Sequence, residues 1–197
     1  LAALIAQRAD HLVDYQDEAY AARYAQWVER IRTAEQRVLP GSEALTVAVA
    51  HNYHKLLAIK DEYEVARLYS DGSFKRQLDA AFENVGKLEF HLAPPILGRK
   101  DANGVATKTT FGPWMMSAYK ALAALKFLRG GALDIFGKTT ERRQERQILA
   151  DYETLLDELE AGMNAASYPL AVQLASIPEK IRGYGHVRER YLAGARR

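Results

Sequence analysis

The fold class of the chain is indicated by residues 20–41, which read YAARYAQWVERIRTAEQRVLPG. Apolar side chains recur there every three or four positions, which places them on one stripe of a helix. The stripe comprises Tyr20, Tyr24, Trp27, Ile31, Ala34 and Val38. Because no proline or glycine precedes Pro40 and Gly41, the sequence predicts one continuous amphipathic helix over residues 1–38.

The helical period continues on the C-terminal side of this stretch. A second helix is predicted from about Glu43 to Tyr69, with the Ser42 hydroxyl as its N-terminal cap. Further helices are predicted from Ser73, after Pro113, from Thr139 or Thr140, from Leu170 to Ser176, and after Pro178. The sequence therefore predicts a mainly α fold, a multi-helix bundle with long antiparallel helices.

The period changes between residues 88 and 112. The segment from Lys87 to Leu92 alternates polar and apolar side chains, as a half-buried strand does. A second extended stretch is predicted after Asn103-Gly104, a dipeptide that supplies the positive φ angles of a tight turn. Pro94-Pro95 prevents a helix between the two stretches. At most a small β-hairpin is expected in this region.

The composition excludes several classes of protein. Among 197 residues, 27 lysines and arginines oppose 25 aspartates and glutamates, so the net charge is +2. This balance argues against a nucleic-acid-binding surface, which requires clustered and unopposed basic residues. The chain contains no cysteine, which excludes disulfide bonds, cysteine-ligated iron–sulfur clusters and a thiol nucleophile within it.

Features of the same kind predict where the protein is located and how many domains the chain contains. No apolar run reaches the roughly 18 residues that span a bilayer, so no membrane association is expected. The lack of cysteine fits a reducing compartment, and a cytoplasmic location is expected. The length fits a single helical domain over residues 1–197. Because the sequence begins at Leu1 and not at Met, this domain is expected to be part of a longer chain.

Two histidines form the first candidate site. His51 and His54 are three residues apart on the second predicted helix, so their imidazoles lie on the same side. Glu62 points the same way, but it lies roughly 16 Å from His51 along the axis, too far to share one metal ion. The favoured interpretation is a polar or interface face, and the alternative is metal binding by the two histidines.

The charged segment from Lys60 to Arg67 is the second candidate. Its side chains, among them Lys60, Glu62 and Arg67, fall at spacings that allow ion pairs along a helix. Lys60–Glu64 is one predicted pair. Such a surface is typical of a solvated face, and the alternative is a docking surface for another domain.

The remaining candidates flank residues that constrain the backbone. His91 precedes Pro94-Pro95, and it is predicted either as a structural histidine or as a side chain that projects into a cleft. Arg182 and His186 flank two glycines in IRGYGHV, residues 181–187. This turn is interpreted as a glycine-broken helix junction or as an anion-binding turn. Its spacing matches neither a Walker loop nor a dinucleotide fingerprint.

Several blocks of the sequence, in order, resemble the C-terminal region of the fused indolepyruvate ferredoxin oxidoreductase family. They are KDEYEVARLY at 60–69, FHLAPP at 90–95, FGPWM at 111–115, LRG at 128–130 with LDIFG at 133–137, TERR at 140–143, and IRGYGHV at 181–187. Each block alone is a weak signal, and their shared order makes the resemblance specific.

The resemblance implies an activity for a larger enzyme. That enzyme would oxidatively decarboxylate aryl 2-oxoacids such as indolepyruvate to the arylacetyl-coenzyme A and pass electrons to ferredoxin. Thiamine diphosphate, magnesium and iron–sulfur clusters would belong to its upstream domains, and none of them to this segment. The expected partners are those catalytic domains of the same protein, coenzyme A, and ferredoxin for the whole enzyme, within a homo-oligomer.

Two functions are therefore open at the level of sequence. In the first, the chain is a non-catalytic C-terminal accessory domain of such an oxidoreductase, serving domain packing, assembly or active-site covering. No catalytic residue is assigned, and the expected binding or interface residues are His51, His54, Lys60, Glu62, Arg67, His91, Arg182 and His186. In the second, the chain is an independent helical binding or scaffold module that holds a metal through His51 and His54.

Overall fold

The computed structural model describes residues 1–83, 86–92 and 109–181. Eight α-helices and one two-stranded sheet lie in this part of the chain, which confirms the mainly α fold. The helices are α1 (Ala2–Tyr15), α2 (Glu18–Val38), α3 (Ala44–Leu57), α4 (Glu62–Ser70), α5 (Ser73–Ala81), α6 (Met115–Ala124), α7 (Thr140–Gly162) and α8 (Tyr168–Ala175). The strands are β1 (Phe90–Leu92) and β2 (Thr109–Phe111), and turns of 3-10 helix cover Lys126–Leu128 and Ile177–Lys180.

The chain divides into two compact units. Unit 1 contains Leu1–Ile59 and the described residues from Thr140 onward, and unit 2 contains Lys60–Thr139. The single domain expected from the length stays a prediction, because compactness does not test whether either unit folds by itself.

The core of unit 1 is rich in tyrosine. Tyr24, Tyr53 and Tyr152 come from α2, α3 and α7, and their rings stack with centroids 6.1 and 6.2 Å apart. All three side chains are buried, as are Leu45 and Leu156. Aromatic rings of this size bury large apolar areas, so the stack contributes much of the packing between these helices. Four members of the stripe predicted from residues 20–38, Tyr20, Tyr24, Trp27 and Ile31, do pack in this core.

The prediction of one helix over residues 1–38 is wrong. Two helices, α1 and α2, are separated at Gln16 and Asp17. The Asp17 carboxylate accepts a hydrogen bond from the backbone N–H of Tyr20 at 2.8 Å, which caps α2. An aspartate that satisfies a backbone donor in this way starts a new helix without any proline or glycine.

The helix predicted from about Glu43 to Tyr69 is also two helices, and for the same reason. The helix α3 ends at Leu57, and Asp61 caps α4 by accepting a hydrogen bond from the N–H of Glu64 at 2.8 Å. Glu62 therefore does not share a helix with His51. Lys60 precedes α4, so the predicted helical ion pair between Lys60 and Glu64 is not formed on that helix.

The capping role predicted for Ser42 is wrong. The residue before α3 is Glu43, whose side chain caps nothing. The N–H groups of Leu45 and Thr46 instead donate to the carboxylate of Glu35 on α2, both at 2.9 Å. The Ser42 hydroxyl is hydrogen-bonded to the Tyr168 hydroxyl at 2.6 Å. A distant side chain therefore supplies the cap that local sequence assigned to a serine.

Unit 2 contains α4, α5, α6 and the small hairpin. The strands pair antiparallel, with Phe90 opposite Phe111 and His91 opposite Thr110, which confirms a small hairpin within residues 88–112. A second core forms around Ala66, Phe90 and Tyr119. Pro94-Pro95 and the predicted Asn103-Gly104 turn lie outside the described residues.

The first residues of α7 and α8 are close to those predicted from the sequence. The helix α7 begins at Thr140, and α8 begins at Tyr168 instead of Leu170. The segment after Pro178 is a short turn of 3-10 helix. Among the helices described, none combines the length and the apolar character needed to cross a bilayer.

Candidate functional site

An open cleft in unit 1 collects basic and titratable side chains. Its volume is about 600 Å³. The residues that line it are Arg8, His11, His51, Asn52, His54, Lys55, Ala58 and Glu179. Two of them, His51 and His54, were predicted from the sequence as binding residues.

Helical periodicity brings these side chains to the cleft. Arg8 and His11 are three residues apart on α1, and His51, His54 and Lys55 fall at three- and four-residue spacings on α3. Side chains at these spacings share one face of a helix. The facing surfaces of α1 and α3 thus form two walls, and the 3-10 helix at Ile177–Lys180 adds Glu179.

A chain of hydrogen bonds runs from Arg8 through His54 to His11. A guanidinium nitrogen of Arg8 donates to His54 Nδ1 at 3.4 Å, and His54 Nε2 lies 3.0 Å from His11 Nδ1. Arginine only donates, so His54 Nδ1 is the acceptor and the neutral ring carries its hydrogen on Nε2. His54 therefore donates to His11, whose Nδ1 is the acceptor in that bond.

The environment of His54 favours its neutral form. The side chain is buried, and the Tyr24 ring meets it edge-on with centroids 6.2 Å apart. Burial lowers the pKa of His54 to about 4, and the charges of Arg8, His11 and His51 act in the same direction. At neutral pH His54 is thus an uncharged link between its two neighbours.

The opposite side of the cleft is fixed by contacts with the 3-10 helix. The Lys55 ammonium donates to the carbonyl oxygens of Pro178 and Ile181 at 2.8 and 2.9 Å. The Asn52 amide donates to the carbonyl oxygen of Ala48 at 2.9 Å and to Glu179 Oε1 at 3.4 Å. These bonds hold the Lys55 charge in one position at the edge of the cleft.

The charges of the cleft are not balanced by its own residues. Arg8 and Lys55 are the basic side chains among the lining residues besides the histidines, and Glu179 is the carboxylate. Arg8 Nε is buried and has no hydrogen-bond partner among the described residues. Since a buried N–H without an acceptor is destabilising, this arrangement suits a site that receives an anion.

The geometry gives little support to a metal at the two predicted histidines. Both ring nitrogens of His54 are already hydrogen-bonded, to Arg8 and to His11. Across residues 1–83, 86–92 and 109–181, no three histidine, aspartate or glutamate side chains are grouped so that they could hold one ion. Metal binding by His51 and His54 stays a prediction.

Four of the other predicted residues are not among those that line this cleft. Lys60, Glu62, Arg67 and His91 belong to unit 2, and Arg182 and His186 lie outside the described residues. Arg67 donates twice to the Glu64 carboxylate, both bonds at 2.8 Å. His91 is exposed on β1, and its Nδ1 lies 3.0 Å from the Thr110 hydroxyl. Their role as interface residues stays a prediction.

Sequence reasoning missed Arg8, His11 and Glu179. Arg8 and His11 precede His54 by 46 and 43 residues, and Glu179 follows Asn52 by 127. No local spacing connects residues so far apart. The available signal was the pair Arg8 and His11 at helical spacing on one face of a short amphipathic helix.

A buried ion pair in unit 2 was also missed. The guanidinium of Arg129 makes two bonds with the Asp61 carboxylate, from Nε at 2.5 Å and from a terminal nitrogen at 3.0 Å. It also lies over the Tyr63 ring, 5.5 Å from the centroid. Because bidentate geometry orients both partners, the pair fixes the start of α4 against the segment that follows α6.

A second buried carboxylate organises the next segment of unit 2. Asp134 accepts hydrogen bonds from the backbone N–H groups of Gly130, Phe136 and Gly137 at 2.8, 3.1 and 2.9 Å, and from the Tyr63 hydroxyl at 3.3 Å. Burial raises the pKa of Asp134, but these bonds outweigh it and the net pKa is lowered. The bonds of both carboxylates thus hold neighbouring segments of unit 2 together.

Comparison with known proteins places the chain in one family. The whole of residues 1–197 matches a family of unknown function, DUF6537, and the chain belongs to that family. No curated protein matches the chain. No solved structure matches it either.

Proposed function

We propose that this member of the DUF6537 family is a non-catalytic accessory domain at the C-terminal end of an oxidoreductase similar to the indolepyruvate ferredoxin oxidoreductases. The observation that carries the proposal is the series of resembling blocks between Lys60 and Val187, which occur in the order of that family. The domain would pack on the catalytic domains, support their assembly or cover the substrate entrance.

The contacts of unit 2 support a structural role for these blocks. Asp61 and Tyr63 come from the first block, Arg129 from the fourth, and Asp134 from the LDIFG segment. Arg129 pairs with Asp61, and the Tyr63 hydroxyl donates to Asp134. These residues bond to one another inside a core. A role in folding is therefore enough to explain their presence, without a role in catalysis.

Aromatic residues of the first three blocks, together with Tyr119 outside them, fit the same role. The rings of Tyr69 and Phe90 meet edge-on with centroids 5.6 Å apart, and Tyr119 stacks on Tyr69 at 5.1 Å. Phe111 packs against the same cluster. These contacts support an accessory domain in which the residues of the resembling blocks stabilise the fold of the domain itself.

The proposal is tested first on the gene and then on the enzyme. We expect the reading frame upstream of Leu1 to continue into cysteine clusters and a thiamine diphosphate signature. The protein purified from its natural gene should then reduce ferredoxin when supplied with indolepyruvate and coenzyme A. A start codon directly before Leu1, or a natural protein without this activity, would contradict the proposal.

The contribution of the domain is measured by removing its internal contacts in the natural protein. Arg129→Ala should reduce the amount of assembled enzyme on size-exclusion chromatography, because the buried carboxylate of Asp61 loses its ion-pair partner. Lys75→Ala, which breaks an exposed ion pair with Asp79, is the matched control and should leave assembly unchanged. Normal assembly and activity of the Arg129→Ala protein would argue against an accessory role.

A further inference from the structure

The cleft of unit 1 has the composition of an anion-binding site. Arg8 carries a buried Nε–H that no acceptor in the described part of the chain satisfies. Its one bond to His54 is long, 3.4 Å, and leaves most of the guanidinium donors for another partner. Arg8 contacts a neutral imidazole, and no carboxylate is paired with it among the described residues. Its positive charge is therefore available to a ligand.

Lys55 adds a second cation at a fixed position. Its ammonium bonds to two backbone carbonyl oxygens, which orient the group. A lysine held in this way acts as a point charge, and the planar arginine fork supplies directional bonds. The two residues thus bring a directional donor and a fixed positive charge to the same cleft.

We propose that this cleft binds an oxyanion of the phosphate class, with Arg8 as the directional donor and Lys55 as the fixed positive charge. The exposed imidazole of His51 lies at the rim of the same cleft. The guanidinium of Arg8 can donate to more than one oxygen of the same ligand, which suits the phosphate class. This inference does not rest on the proposed function.

Two sources supply the same chemistry, inorganic phosphate and the phosphate group of an organic monoester. The volume of about 600 Å³ exceeds what a free phosphate fills and lies in the range of sites for small organic ligands. Adenosine monophosphate and inorganic phosphate are therefore used side by side as probes, and adenosine serves as the probe without phosphate.

The test follows amide chemical shifts of the isotopically labelled chain during titration at neutral pH. Sodium phosphate and adenosine monophosphate should each give saturable shifts in α1 and α3, and sodium chloride at matched ionic strength should not. A tighter response to the monophosphate, with none to adenosine, identifies a monoester site. Equal responses to both phosphates identify recognition of the phosphate group alone. Either result supports the proposal.

Variants distinguish phosphate binding in this cleft from non-specific electrostatic attraction to the protein surface. Arg8→Met should weaken phosphate binding about tenfold or more, because the directional charged donor is lost. Arg37→Met, an equal change on exposed α2 surface of the same unit, should leave the affinity unchanged. Lys55→Met provides a second variant if Arg8→Met does not fold. Shifts no larger than those from chloride, or equal affinity in Arg8→Met and wild type, would overturn the proposal.

Discussion

The carboxylate of Glu35 on α2 accepts a hydrogen bond from the backbone N–H of Thr46 on α3, at 2.9 Å. The same carboxylate also receives the N–H of Leu45 at 2.9 Å and the hydroxyl of Tyr168 on α8 at 2.5 Å. One fully buried side chain therefore joins three helices of unit 1. Burial raises the pKa of Glu35, but the hydrogen bonds from Thr46, Tyr168 and Leu45 outweigh it, and the net pKa is lowered.

Glu35→Ala should lower the free energy of unfolding by about 2–3 kcal/mol, because two buried N–H groups at the start of α3 lose their acceptor. Urea unfolding followed by circular dichroism measures the change. Glu29→Ala removes an exposed carboxylate from the same helix and should change stability by less than about 0.5 kcal/mol. Equal effects of the two substitutions would show that Glu35 does not act as a cap.

The stability of unit 1 should fall as the pH drops from about 6.5 towards about 4, where His54 titrates. In this window the unfolded chain binds a proton at residue 54 that the folded chain does not, so protonation favours unfolding. His54→Gln should flatten this part of the stability–pH curve, measured by urea unfolding at several pH values. The effect is compared with that of His91→Gln, which removes an exposed imidazole. An unchanged slope in His54→Gln would contradict the assignment.

Arg129→Ala should destabilise unit 2 by about 3–5 kcal/mol, because the buried carboxylate of Asp61 loses both of its bonds to the guanidinium. Adding Asp61→Asn should recover part of the loss, since the buried charge is then removed as well. Thermal unfolding of the two single variants and the double variant gives the coupling energy. Additive effects of the two substitutions would mean that the pair does not act as a unit.

Asp134→Ala should loosen residues 130–137 with little effect on unit 1. The substitution removes the acceptor for the N–H groups of Gly130, Phe136 and Gly137. Amide hydrogen exchange at Phe136 and Gly137 should become at least about tenfold faster, which corresponds to the loss of about 1.4 kcal/mol of local protection. Exchange at Tyr53 in α3 is the internal reference. Unchanged protection at Gly137 would refute the role given to Asp134.

The fold class was predictable, and two of the helix boundaries were not. Periodicity identifies the buried face of α2 because Tyr24, Ile31 and Ala34 do face a core. The breaks before Glu18 and Glu62 were missed because only proline and glycine were treated as the ends of long helices. Asp17 and Asp61 carry the missing signal, since an aspartate accepts the N–H of the residue three positions on.

The candidate site was predictable only in part. His51 and His54 stand out because they share a helical face within four residues of sequence. Arg8 and His11 reach them through the packing of α1 on α3, and no pattern within either segment encodes that contact. The cap supplied by Glu35 escaped prediction for the same reason, because Leu45 lies ten residues away across a turn.

The division of unit 1 into two separated stretches sets an order of events on the ribosome. The helices α1, α2 and α3 leave the exit tunnel first, and all of residues 60–139 must follow before α7 begins. During that interval the nascent Tyr53 lacks the ring of Tyr152, and the Glu35 carboxylate lacks the hydroxyl of Tyr168. The first half of the unit therefore remains an incomplete surface that chaperones can recognise until α7 and α8 follow, after every residue of unit 2 has been synthesised.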